Sequence, residues 1–217
     1  MAFTAPGKPL PTRAATSTAS TSRSEFSEQS QRRGRIGSKK EYDYLTEDQL
    51  QKLEAEAKGN RWGLRDWLAI RLAWRHGLRA SELVGLEWHD FALAEGTARV
   101  RRAKNGREAT HWLDGEETRA LRKLQRTQAA GSRWVFQSER GGQWAAVSFS
   151  RMVERAGDRA LPGRGVHAHM LRHTCGHLLA AKGVDTRRIQ DQLGHKSISS
   201  TQIYTQLQSR HLKGIWN

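Results

Sequence analysis

Apolar positions follow a helical period along most of the chain after residue 43 and alternate in only one short stretch. Thr46 and Gln49 have the spacing of a capping box, which predicts a helix through about Lys58. A second helix is expected from Arg65 to His76, with Leu68, Leu72 and Trp74 supplying much of its apolar side and Gly77 stopping it. A short helix follows over Ala80–Gly85. Thr97–Arg102 and Arg107–Leu113 then read as two strands joined through Lys104-Asn105-Gly106, a turn that suits a hairpin. A helix over Glu116–Thr127 comes next. Trp134-Val135-Phe136 reads as a third short strand ended by Gly141-Gly142. The remainder is helical, over residues 147–159, 168–182, 185–192 and 199–205, with breaks at Gly183 and Gly194. No internal repeat is visible. The expected class is α+β, mainly helical, with one small antiparallel sheet.

Composition changes this picture at the amino terminus. Residues 1–42 hold three of the four prolines, are rich in Ser and Thr, and show no period. They read as a disordered basic tail ending in Arg32-Arg33-Gly34-Arg35 and Lys39-Lys40. Non-specific phosphate contact and a simple solvated leader are both compatible with it. The ordered domain is expected over 43–205, with 206–217 as a separate carboxyl-terminal segment. Across 217 residues, 37 Lys+Arg against 22 Asp+Glu give a formal net charge of +15. That excess points to a polyanionic partner, above all nucleic acid. The single cysteine, Cys175, excludes an intrachain disulfide and fits a reducing compartment. With no apolar run of membrane-spanning length and no signal-like block, the expected location is the cytoplasm, at the nucleoid, with no membrane partner.

The candidate chemistry lies in Arg79, Lys104, His169, Arg172, His195 and Tyr204. Each has an ordinary explanation alone: a surface ion pair, a hairpin tip, a solvent-facing HxxR pair, a helix cap, a packing tyrosine. Together they supply what phosphodiester cleavage needs without a metal. A phenol can attack phosphorus, guanidinium groups can hold the non-bridging oxygens, and imidazoles can move protons or donate hydrogen bonds. His169, His173 and His177, with Cys175 nearby, also admit a metal reading. Zinc motifs seldom use three successive histidines four apart, and no second ligand cluster lies near in sequence.

The order and spacing of Arg79, Lys104, His169-x-x-Arg172, His195 and Tyr204 resemble the tyrosine recombinase (phage integrase) family. So do the segments Gly77–Leu83, His169–His173 and Ile189–His195. Within it the chain is most similar to the short fimbrial-switch inversion recombinases. The resemblance covers roughly residues 44–217 and implies roles. Tyr204 would be the nucleophile, forming a 3′-phosphotyrosyl link. Arg79 and Arg172 would clamp the scissile phosphate, Lys104 would protonate the leaving 5′-oxygen, His169 would handle the tyrosine proton, and His195 would hydrogen-bond the phosphate. Glu82 and His173 would support the site. No cofactor, metal or ATP is implied. The implied partners are double-stranded DNA, a homo-tetramer assembled on two DNA sites, and accessory DNA-bending proteins. Residues 206–217, with Leu207, Leu212, Ile215 and Trp216, would be a segment passed between protomers. Most members carry an amino-terminal helical domain that completes a clamp around DNA. Only the basic tail precedes the catalytic part here, so clamping is expected to be weaker, with the tail substituting in part. Type IB topoisomerase-like relaxation and non-catalytic DNA regulation are the alternatives.

Overall fold

A computed structural model describes residues 1–2, 43–102, 108–128 and 131–205. Chain contacts divide the protein into Met1–Glu41 and Tyr42–Asn217, and the fold below is that of the second unit. The basic tail, the hairpin tip with Lys104, and residues 206–217 therefore lie outside the described residues.

Helix α1 spans Glu47–Lys58. Thr46 Oγ1 accepts the Gln49 N–H at 3.2 Å and Gln49 Oε1 accepts the Thr46 N–H at 3.0 Å, closing the capping box. Leu50, Leu53 and Ala57, at helical spacing, turn one face inward. Helix α2, Gly63–Arg75, has no exposed residue and buries Trp67, Leu68, Ile70 and Leu72. It is the central helix, packed against α1, against α4 (Gly115–Thr127) and against α6 (Ala168–Ala181). Helix α5, Ala146–Ala160, sends Phe149, Met152, Val153 and Ala156 into the same core. Among the described residues, the short α3 (Ala80–Val84), α7 (Thr186–Leu193) and α8 (Ser199–Thr205) complete the helical part. Cys175, Ala180, Ile189, Leu193 and Tyr204 form a second, smaller core where α6, α7 and α8 meet.

The sheet is three-stranded and antiparallel in the order β1 (Phe91–Ala92), β2 (Thr97–Val100), β3 (Ala109–Trp112). Phe91 pairs with Ala98, and Val100 with Ala109. The hairpin strands are as expected but shorter. The third strand is not the one expected. Trp134-Val135-Phe136 makes only an isolated bridge, Trp134 to Glu87, and enters the core as irregular chain. Val135 and Phe136 are both fully buried. Adjacent buried residues cannot point to the two faces of a half-exposed strand, and their backbone is satisfied instead by Leu86 and Trp144. The actual third strand, Phe91–Ala92, has only two residues and so shows no alternation.

Candidate active site

The site forms where the carboxyl ends of α2 and α7 meet the amino-terminal half of α6. Arg172, on α6, is 2 % exposed. Its Nη1 donates to the Gly77 carbonyl that closes α2, and its Nη2 donates at 2.6 Å to the Leu193 carbonyl at the end of α7. Arg79 caps the amino end of α3, with one third of its side chain exposed. Glu82, one turn on, accepts the Arg79 backbone N–H at 3.0 Å and the Arg79 Nη1 at 2.7 Å. The Glu82 carboxylate is also 3.0 Å from Arg102 and 3.8 Å from Arg172. Three guanidinium groups thus surround one carboxylate, and the excess positive charge suits an incoming phosphate. Burial, then repulsion from Arg79 and Arg102, pulls the Arg172 guanidinium down to about 10, still charged at neutral pH.

The imidazoles stand beside this cluster. His169, His173 and His177 occupy successive turns of α6, and the His169 and His173 rings meet edge-on at 4.5 Å. His195 follows Gly194 and reaches Thr201 Oγ1 through Nδ1 at 3.0 Å. Its ring lies nearly parallel to that of Tyr204, 6.4 Å away. Tyr204 is 1 % exposed. Its ring rests on Gly176, where an added Cβ would come within 2.6 Å of the ring carbons. Its hydroxyl lies 3.0 Å from His173 Nδ1. Burial pushes the phenol up to about 12, opposed by the Arg172 charge. Burial first, then Arg172 and Arg79, holds His195 down at about 4, so that imidazole is neutral at pH 7. The histidines do not converge on a metal position. His177 stacks on Tyr44 at 3.9 Å, and among the described residues no group of three His, Cys, Asp or Glu side chains is arranged to bind one.

Arg79, Glu82, His169, Arg172, His173, His195 and Tyr204, spread over more than half of the chain, are brought to one locus. Lys104 lies outside the described residues. The sequence profile of the phage integrase family matches residues 43–211. The chain belongs to that family. The recombinase is 37 % identical over 181 residues to the type 1 fimbriae regulatory protein FimE of Escherichia coli K12, covering 80 % of this chain and 90 % of FimE. It is 34 % identical to FimB of the same organism, covering 82 % and 91 %. The tyrosine recombinase XerC of Pseudomonas fluorescens is 35 % identical over 79 % of this chain, which spans 58 % of XerC. Among solved structures, XerA recombinase superposes with a TM-score of 0.68 at 29 % identity, covering 80 % of this chain and 63 % of XerA. The fold class and the assignment as a tyrosine-type recombinase, an enzyme of site-specific recombination, are therefore as expected from the motifs.

Sequence reasoning did not single out Arg102, which lies at this candidate site. Arg102, two residues beyond β2, has a fully buried side chain. It donates to Glu82 at 3.0 Å, to the Gly77 carbonyl at 3.3 Å, to the His76 carbonyl at 3.1 Å and to the Gln192 carbonyl. Its guanidinium also lies 3.2 Å from His111 Nε2. Burial and the neighbouring Arg102 and His76 hold His111 down at about 3, so its imidazole is neutral and able to accept from Arg102. Gly194 is required for this contact: it has φ +64°, and a Cβ there would lie 2.6 Å from Arg102 Cγ. Strand parity was the available signal, because Ala98 and Val100 face inward and position 102 continues that face. Arg102 thus joins the hairpin to the ends of α2 and α7. Arg102→Met is expected to destabilise the domain by about 3–5 kcal/mol, because Glu82 loses a buried partner. Thermal melting should show it, and an unchanged midpoint would mean that solvent replaces Arg102 at no cost.

Proposed function

We propose that this recombinase cuts and rejoins double-stranded DNA at specific sites through a 3′-phosphotyrosyl intermediate on Tyr204. The observation that carries the reading is the position of the Tyr204 hydroxyl, within hydrogen-bonding reach of an α6 imidazole and within the field of the Arg172 guanidinium. In this reading Arg79 and Arg172 hold the non-bridging oxygens of the scissile phosphate, where planar guanidinium groups give two-point contact. Glu82 keeps both arginines oriented. His195 and His169 hydrogen-bond the phosphate or handle protons, and Lys104 protonates the departing 5′-oxygen. The positive cluster stabilises a pentacovalent transition state that carries more negative charge than the diester. DNA as substrate is supported by the charge of +15 and by the solved relatives XerH, bound to its difH substrate, and λ integrase, bound to a core site. Four strands must be cut, so four protomers meet on two sites, and accessory bending proteins would assist synapsis. Inversion, integration or excision follows from how the two DNA sites are arranged.

The test is a plasmid carrying two copies of a candidate recombination site drawn from the DNA beside the gene, treated in the presence of a chelator and without ATP. Strand exchange between the copies is expected. Relaxation of a one-site plasmid with no exchange on the two-site plasmid would overturn the reading in favour of a topoisomerase. Residues 206–217 are proposed to dock on a neighbouring protomer. Deleting 207–217 should leave single-site binding within a few-fold and abolish the synaptic complex. Normal two-site recombination by the truncated chain, or its failure to fold, would remove that role.

A further inference from the structure

We infer that Asp43, His173 and Tyr204 form a proton relay in which His173 Nδ1 takes the Tyr204 hydroxyl proton, with Asp43 as the positioning residue. The inference rests on the reading of Tyr204 as nucleophile and changes who receives its proton. The family resemblance gives that task to His169. Yet His173 Nδ1 is the group 3.0 Å from the hydroxyl, while the His169 ring stands one turn back, edge-on to His173.

The far side of the His173 ring completes the arrangement. His173 Nε2 lies 3.5 Å from Asp43 Oδ2, and the other carboxylate oxygen lies 3.0 Å from His167 Nε2. A carboxylate facing Nε2 favours the tautomer with the proton on that nitrogen. The Nδ1 lone pair is then free to accept the phenolic O–H. Asp43 is itself exposed, but the two residues that follow it are anchored. Leu45 is fully buried and donates its N–H to Thr174 Oγ1 at 2.9 Å. The Tyr44 ring stacks on His177, and the Tyr44 carbonyl accepts from Arg164 at 2.9 Å. Tyr44 and Leu45 are thus tied down, and Asp43 directly before them brings its carboxylate to His173.

The groups facing His173 are Asp43, His167, His169, Arg172, His177 and Tyr204. Burial lowers the His173 imidazole, Asp43 raises it, and Arg172 and His167 lower it. The sum leaves it below the ordinary histidine range, so it is an acceptor at neutral pH. In the proposed step the Tyr204 O–H bond breaks and the proton passes to His173 Nδ1 as the phenolic oxygen bonds to phosphorus. The P–O5′ bond breaks, and the 5′-oxygen takes the proton supplied by the group assigned to Lys104. Asp43 stabilises the imidazolium, which returns its proton to the tyrosyl oxygen on rejoining. Transfer concerted with attack avoids forming a free phenolate in this buried site.

Single-turnover formation of the covalent adduct on a nicked duplex tests this across acid to alkaline pH. His173→Gln is expected to slow adduct formation on the order of 10²-fold, with DNA affinity within a few-fold. Asp43→Asn is expected to slow it about 10-fold. Because the carboxylate raises the His173 pKa, Asp43→Asn should also move the acid limb of the profile to lower pH. Asp43→Glu should restore most of the rate. If thermal melting shows His173→Gln to be unfolded, added imidazole is expected to rescue cleavage by His173→Ala. Wild-type rates in a folded His173→Gln, no rescue of His173→Ala, or an acid limb unmoved by Asp43→Asn would overturn the relay. An adduct formed by Tyr204→Phe would instead overturn the nucleophile on which it rests.

Discussion

Tyr204→Phe is expected to abolish the covalent protein–DNA adduct while leaving DNA binding within a few-fold of the unmodified protein. Loss of the hydroxyl removes the oxygen that would bond to phosphorus, and no fraction of the reaction survives that loss. The change is also conservative for the fold. The ring is packed face-on over Gly176 and edge-on to His177 at 5.0 Å, and phenylalanine fills the same space. The hydroxyl makes one described hydrogen bond, to His173, and a histidine at the edge of the buried region can turn to solvent. The small core of α6, α7 and α8 should therefore stay intact, and a thermal midpoint within a few degrees would confirm it. The assay is a duplex nicked next to the cleavage site, which loses its short fragment after attack and traps the adduct. Persistent adduct in Tyr204→Phe would place the nucleophile elsewhere.

Arg172→Lys should reduce cleavage on the order of 10²-fold or more, as for loss of a preorganised oxyanion donor. Charge is preserved, so the loss measures geometry. The guanidinium has five N–H donors. One on each Nη is directed at a backbone carbonyl, that of Gly77 or Leu193, fixing the plane of the group between the ends of α2 and α7. In the proposed reading the remaining donors present a fork to the phosphate oxygens. A lysine ammonium is one point, and it cannot satisfy both carbonyls and still present two donors to the phosphate. An orphaned buried carbonyl costs about 1–3 kcal/mol, so a modest fall in melting temperature should accompany the kinetic loss. DNA affinity should change little, since the positive cluster retains Arg79, Arg102 and the new lysine. Near-wild-type cleavage by Arg172→Lys would reduce Arg172 to a strut between helices.

Much of the fold was legible in the sequence because its signals are local. The Thr46–Gln49 capping box, the glycines that end α2 and α7, and the apolar stripe of α1 each act within a few residues, and each fixed an element close to its observed bounds. The hairpin strands followed from alternation. The positions of Arg79, Glu82, His169, Arg172, His195 and Tyr204 were legible as an ordered set of motifs. What joins them was not. Tyr204 and His173 are 31 residues apart, Arg172 and Gly77 95 apart, and Leu45 and Thr174 129 apart. No periodicity within a helix or strand carries information over such separations. The same limit explains the third strand. Phe91–Ala92 is a strand only because β2 offers it partners, whereas Trp134–Phe136 has strand composition but lies where the core takes both faces. Arg102 shows the division within one residue. Its inward direction follows from strand parity, but a buried arginine is tolerable only because the ends of α2 and α7 bring carbonyls, and α3 a carboxylate, to one point. Sequence fixed which groups are present and which local face each occupies; packing of the helices decided which of them meet, because an unpaired charge in that interior costs more than any local preference can supply.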